Sequence, residues 1–380
     1  MKKYLFLLTL VLISYACQPT NEYSNNSGSD WTLKGFVKVD SLNPILRPDA
    51  AQVFNCPLNK RQVFWEARNV LNPSALVKGD SVYLFYRAQD STGTSRIGLA
   101  ISEDGLHFKK MPAPVFYPNE DDMKNREWNY LKFQNPVPQL DCKSCYFDGV
   151  EDPRIIESED GRYIMTYTAY DGKTARLALA SSTDLRHWTK HGLVFKSEKY
   201  QDLWSKSGAI VVRQEGSRML ATKINGRYWM YFGATDLFLA SSEDLIQWEV
   251  AEDEERQDRI SVLTARRGYF DSRLVEPGPF ALLNEDGIVL IYNASNAANY
   301  NDSELPKFTY AAGQALFDKN QPYKILDRTD SYFIYPNKDY ERVGEVNEVC
   351  FVEGLVYFNN SWFLYYGTAD SKIAVAVSQE

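Results

Sequence analysis

The feature that most limits the fold of this chain is a repeat. Five segments follow one plan: 82–108 (VYLFYRAQDSTGTSRIGLAISEDGLHF), 163–188 (YIMTYTAYDGKTARLALASSTDLRHW), 228–248 (YWMYFGATDLFLASSEDLIQW), 288–318 and 362–380. Each runs from an aromatic strand through a polar turn into a strand rich in small residues. The first three close with Ser-x-Asp-(Gly/Leu)-x-x-(Trp/Phe). Strand starts recur roughly every 60 to 80 residues, and apolar and polar residues alternate in short runs, which is the strand signal. A lone small sheet cannot bury both faces, whereas similar sheets packed face to face can. The repeat therefore predicts an all-β fold, a five-bladed β-propeller of four short strands per blade. Gly98, Ala100, Ala178, Ala180, Ala240 and Ala374 are expected on inner strands, where sheets crowd. SSTDLRHW and SSEDLIQW, with His187, read as outer hairpins and not as chemistry.

The chain ends differ from the repeat. MKKYLFLLTLVLISYAC has two lysines, an apolar run too short to span a bilayer, and small residues before Cys17. Residues 1–17 are read as a lipoprotein signal with a lipidated Cys17, which would attach the protein to the outer or cytoplasmic membrane, on the periplasmic or cell-surface side. Residues 18–33 are expected to form a flexible tether, and 34–380 the catalytic propeller. A net charge of −8 without a basic stripe argues against nucleic acid. The pair Cys142 and Cys145 has no histidine at zinc-ligand spacing, so it reads as a local disulfide or two free thiols. No metal and no cofactor is expected. The segment 119–144 looks like an insertion that shapes or caps the site.

A propeller gathers strand-end residues at a central funnel. Polar residues that break apolar runs near strand ends are Asn72, Ser74, Arg87, Arg96, Glu151, Asp152, Arg154, Lys206, Asp271, Arg273, Glu276, Glu348, Glu353 and Asp370. The set has carboxylates and cations but neither a Ser/His/Asp pattern nor a phosphate loop. Paired carboxylates from different strands suit glycoside chemistry, in which one protonates the leaving oxygen and the other handles water. Arg87 and Arg96 could equally pair carboxylates between blades, Asp271 and Arg273 could form a local ion pair, and Glu276 could sit in a surface turn.

These residues also carry a resemblance. LNPSA (71–75), YRA with SRIGLAISEDG (86–105), GVEDPRI (149–155), YTAYDG (167–172), EPGP (276–279) and YYGTAD (365–370) resemble glycoside hydrolase family 130, inverting β-mannosidases and mannoside phosphorylases on a five-bladed propeller. The resemblance implies that Asp152 is the general acid, acting directly or through a sugar hydroxyl. It places Asn72, Arg87, Arg96, Tyr170 and Asp370 at or beside the mannose, with Lys206 and Asp271 added here as substrate contacts. Where phosphorylases show Tyr-His-Gly, this chain reads Tyr292-Asn293-Ala294, and another basic position reads Tyr231-Phe232-Gly233. A phosphate dianion needs such donors. The chain is therefore expected to be an exported exo-β-mannosidase, with Glu276 as general base and Glu348 and Glu353 in reserve. A β-mannoside phosphorylase and a non-catalytic carbohydrate-binding lipoprotein are the alternatives.

Overall fold

The computed structural model describes residues 31–134, 147–300 and 304–378. The signal, Cys17, the polar run to residue 30, Cys142 and Cys145 lie outside them.

The described chain is all-β, with four-residue helices only at Lys124–Glu127, Leu131–Gln134 and Asp339–Arg342. Its body is five antiparallel meanders in chain order. Meander I comprises Asn69–Lys78, Ser81–Gln89, Thr94–Ser102 and Lys109–Lys110. Meander II comprises Asp148–Glu157, Tyr163–Tyr170, Ala175–Ser182 and Thr189–Leu193. Meander III is built on Ser207–Glu215, Tyr228–Gly233, Leu237–Ser242 and Trp248–Val250. Meander IV comprises Leu274–Leu283, Ile288–Ser295, Tyr310–Phe317 and Ile325–Arg328. Meander V takes Cys350–Phe358, Ser361–Thr368 and Lys372–Ser378, then borrows Phe36–Lys38 from the other end of the chain as its fourth strand, Phe36 opposite Ser378. The first strands are neighbours in order, I beside II, II beside III, III beside IV, IV beside V, and V beside I.

The Ser-x-Asp segments do form the hairpins between third and fourth strands. Ser182 Oγ accepts the Leu185 amide at 2.8 Å, and Asp184 Oδ1 accepts those of Arg186 and His187. Ser102 with Asp104 and Ser242 with Asp244 repeat this. The small residues, however, lie on third strands and not on the innermost first strands.

Three of them, Gly98, Ala178 and Ala374, belong to a clamp repeated in four meanders. A tyrosine on the second strand donates its buried hydroxyl to a buried carboxylate from the segment entering that meander, and a cation from the fourth strand pairs with the same carboxylate. The sets are Tyr86, Glu66 and Lys110; Tyr167, Glu127 and Lys190; Tyr292, Asp271 and Arg328; and Tyr366, Glu341 and Lys38. Opposite the tyrosine on the third strand stand Gly98, Ala178, Gly313 and Ala374. A Cβ at Gly98 would come within 2.4 Å of the Tyr86 ring, so the small residue is the seat of the ring. Meander III breaks both rules together: Tyr231 faces Leu239 and donates to the Pro322 carbonyl. Leaving such a hydroxyl unpaired would cost about 1–3 kcal/mol, so each clamp holds the outer strand to the entry segment.

Candidate active site

Four of the five first strands lose register at their fourth or fifth residue: between Leu71 and Pro73, Glu151 and Arg154, Pro277 and Ala281, and Val352 and Gly354. A bulge leaves a residue unpaired and re-aims its side chain. Asn72, Asp152 and Glu353 fall in these bulges. Asn72 and Asp152 both have φ of 49°, a left-handed conformation that Asn and Asp tolerate better than other side chains.

The freed groups converge. Asn72 Nδ2 donates to Asp152 Oδ1 at 2.7 Å, and Arg87 Nη1 donates to the same oxygen at 3.2 Å. Among the described residues none donates to Asp152 Oδ2, which leaves that oxygen for a ligand. Arg87 Nη2 reaches Glu151 Oε1 at 2.6 Å, and Ser95 Oγ, itself held by Arg87 Nε, donates to that oxygen at 3.0 Å. The adjacent carboxylates thus point apart and share one guanidinium. Arg154 binds elsewhere. It donates to the carbonyls of Asp152 (3.1 Å), Pro277 (2.9 Å) and Gly278 (2.7 Å) and to Glu353 Oε1 (2.9 Å). One buried guanidinium therefore ties the strand of Asp152 to that of Glu276.

The electrostatics separate these carboxyls. Burial pushes Glu276 up to about 7, against the opposing pull of Lys206. Burial likewise lifts Asp370, at a φ of 49° beyond the second strand of meander V, to about 6. Glu151 is raised by burial and Glu353 far more so. Asp152 goes the other way: burial raises it, but Arg87, Lys206, Asn72 and Arg154 together hold it below 3.8. Lys206 is raised because its carboxylate neighbours outweigh its burial. Tyr170, on the same side, is raised by burial and by Glu151.

Asn72, Arg87, Glu151, Asp152, Arg154, Lys206, Glu276, Glu353 and Asp370 are thus brought together, with Tyr170 beside them. Three expected site residues are not. Arg96 is buried on Asp90 (2.8 Å) and the Cys56 thiol (3.6 Å). Asp271 is the carboxylate of the meander IV clamp and also binds Arg266 at 2.9 Å. Glu348 faces Arg342 and Glu341. Asn293 clasps the Val352 backbone through its side-chain amide, whose NH2 donates to the carbonyl at 2.8 Å and whose oxygen accepts from the N–H at 2.7 Å, and so joins meanders IV and V. Asp271→Ala is accordingly expected to lower the unfolding free energy by about 3–5 kcal/mol, the cost of breaking a buried ion pair, with kcat/KM of the folded protein changed less than about twofold. Denaturant unfolding with parallel kinetics checks this, and a large KM change at unaltered stability would return Asp271 to the site. Sequence reading missed Ser95, whose role shows only in the fold.

Comparison with known proteins gives the family. Residues 37–380 match the family model for glycoside hydrolase family 130, described as beta-1,4-mannooligosaccharide phosphorylase. A 1,2-beta-oligomannan phosphorylase of Thermoanaerobacter sp. (strain X514) is 28% identical over 324 residues, covering 82% of this chain and 90% of its own. A glycosyl hydrolase from Bacteroides ovatus of known structure is 40% identical, with a TM-score of 0.84 over 92% of this chain and 94% of its own. Another structure, described under the statement that "the GH130 family of mannoside phosphorylases contains glycoside hydrolases that target beta-1,2 mannosidic linkages in Candida mannan", is 39% identical, with a TM-score of 0.85 over 92% of this chain and 95% of its own. With the matching model spanning nearly the whole described chain, this protein belongs to glycoside hydrolase family 130 and is an enzyme of that family.

Proposed function

We propose that this enzyme is an inverting exo-β-mannosidase on a five-bladed β-propeller, exported and held to a membrane by a lipid on Cys17. The cyclic order of the five first strands supports the propeller, and residues 1–17 support the anchor. In this reading Asp152 gives its proton to the glycosidic oxygen as the bond to the anomeric carbon breaks. Glu276 takes a proton from the water whose oxygen forms the new bond on the opposite face. Asn72 and Arg87 orient Asp152, Lys206 and Asp370 contact the sugar, and Tyr170 flanks it.

The observation that carries hydrolysis over phosphorolysis is the commitment of the site's guanidinium groups to the protein itself. The cations beside Asp152 and Glu276 are Arg87, Arg154 and Lys206. Every guanidinium nitrogen of Arg87 and of Arg154 already donates to a group of the protein. A phosphate dianion needs uncommitted donors, and Arg96 is spent elsewhere. Phosphorolysis is nevertheless the better fit to the curated relatives' names, and its donor would be the Lys206 ammonium, which lies among the carboxyls of the cluster.

Product analysis decides. The soluble domain incubated with β-1,2- and β-1,4-mannobiose is expected to release free mannose at the same rate with and without inorganic phosphate. Mannose 1-phosphate formed only with phosphate present would establish the second reading. Binding of a mannoside without turnover would reduce the protein to a lectin.

A further inference from the structure

Tryptophan is large and apolar, and exposing it in water forgoes about 1.5–3 kcal/mol of burial. Trp204 is 48% exposed, yet it does not stand on a loose loop. It lies in the segment between the fourth strand of meander II and the first strand of meander III. The amide of Ser205 is bonded to the Ala175 carbonyl at 3.1 Å, and that of Leu203 to Tyr200 at 3.0 Å. Asp202 accepts from Arg176 Nε at 2.7 Å, and Arg176, nearly buried, also holds Asp171 at 2.8 Å. Arg126, from the insertion that precedes meander II, reaches Asp202 at 3.1 Å. That insertion is itself pinned to Asp148, three residues before Glu151, through Lys132 and the Asn129 amide. The Trp204 ring meets the Tyr170 ring edge-on, centroids 6.4 Å apart at 77°, and Lys206 follows two residues later.

The chain therefore spends several ion pairs and backbone bonds to hold an exposed indole against a tyrosine at the rim of the carboxylate cluster. A flat, amphipathic, preorganised ring there suits one class of ligand, the apolar face of a sugar ring. We propose that Trp204, braced by Asp202 and Arg176 and backed by Tyr170, is the platform for the sugar on the leaving-group side of the scissile bond. This rests on the reading of the cluster as a mannoside-cleaving site. The described part of the insertion, residues 119–134, then braces that platform through Arg126.

The test compares two substrates with the same mannosyl group, a β-mannobioside, which has a second sugar, and β-mannosyl fluoride, which has none. For Trp204→Ala the ratio of kcat/KM on the mannobioside to kcat/KM on the fluoride is expected to fall about tenfold, mostly through KM. That corresponds to about 1.4 kcal/mol, the scale of an aromatic contact. Trp204→Phe should restore most of the ratio, and Asp202→Asn should lower it in the same sense. An unchanged ratio, or equal losses on both substrates, overturns the proposal. Wild-type enzyme inactive on both substrates sinks the mannosidase reading instead. In that case titration with mannobiose, read as quenching of tryptophan fluorescence, still tests the platform: quenching must disappear in Trp204→Phe, and its persistence overturns the assignment.

Discussion

Asp152→Asn is expected to lower kcat on an unactivated mannobioside by about 10²–10⁴-fold, the usual worth of a positioned general acid. KM and unfolding free energy should change little. The amide keeps the shape of the side chain and can still accept from Asn72 and Arg87, which meet only Oδ1. The loss must shrink with the leaving group. An aryl mannoside or the fluoride needs little protonation, so the variant should recover most of its rate there, whereas Glu276→Gln should be crippled on both. This contrast matters because the resting charges reverse the naive assignment: Glu276 holds its proton to about 7 and Asp152 gives its proton up below 3.8. If Glu276→Gln were the variant rescued by a good leaving group, the two roles would be exchanged.

The same pair sets the pH profile, and its sign follows from the proton count. Catalysis needs one proton on the pair, whichever carboxyl holds it at rest. As pH rises through about 7 the pair loses that proton, so kcat/KM must fall. As pH drops, a second proton arrives only when the depressed Asp152 titrates, so activity persists into moderate acid. A profile that instead rises through about pH 7 would mean that ionised Glu276 suffices alone, and would remove Asp152 from the proton transfer.

The repeat, the all-β class and most of the cluster were legible in the sequence, because strand periodicity and isolated polar residues at strand ends survive any tertiary context. Asp271 was misread for a physical reason. Its clamp partner Tyr292 is 21 residues away, but the equivalent pairs are separated by 20, 40 and 25. No fixed spacing marks the carboxylates as one set, and only the fold reveals that Asp271 corresponds to Glu66, Glu127 and Glu341. Crowding between sheets is not what seats Gly98, Ala178 and Ala374, which stand opposite a tyrosine ring on the neighbouring strand. The bulges were invisible for a similar reason: one extra residue in a strand of ten alters no composition and barely disturbs alternation. Yet the bulges turn Asn72, Asp152 and Glu353 out of register and toward one another.

Arg154 gives the last large effect. The proposed inverting mechanism requires one separation of its two carboxyls, roughly 6.5–9.5 Å, and Asp152 and Glu276 sit on different first strands. Arg154 bonds the backbone of Asp152 and the two carbonyls after Glu276, and its remaining link to Glu353 recruits a third strand. Lysine in its place supplies a charge but not the planar fork that reaches several acceptors at once. Arg154→Lys is therefore expected to cut kcat by about 10²-fold, the cost of a misplacement near 1 Å, on fluoride and mannobioside alike, with KM little changed. A residue that only stabilised the fold would lower the unfolding free energy and leave kcat per folded molecule intact, so unfolding and active-site titration are run on the same samples. Added guanidinium ion that restores part of kcat in Arg154→Gly would show that the fork itself sets the distance. If neither variant alters kcat per folded molecule, the separation is fixed by the bulged strands alone.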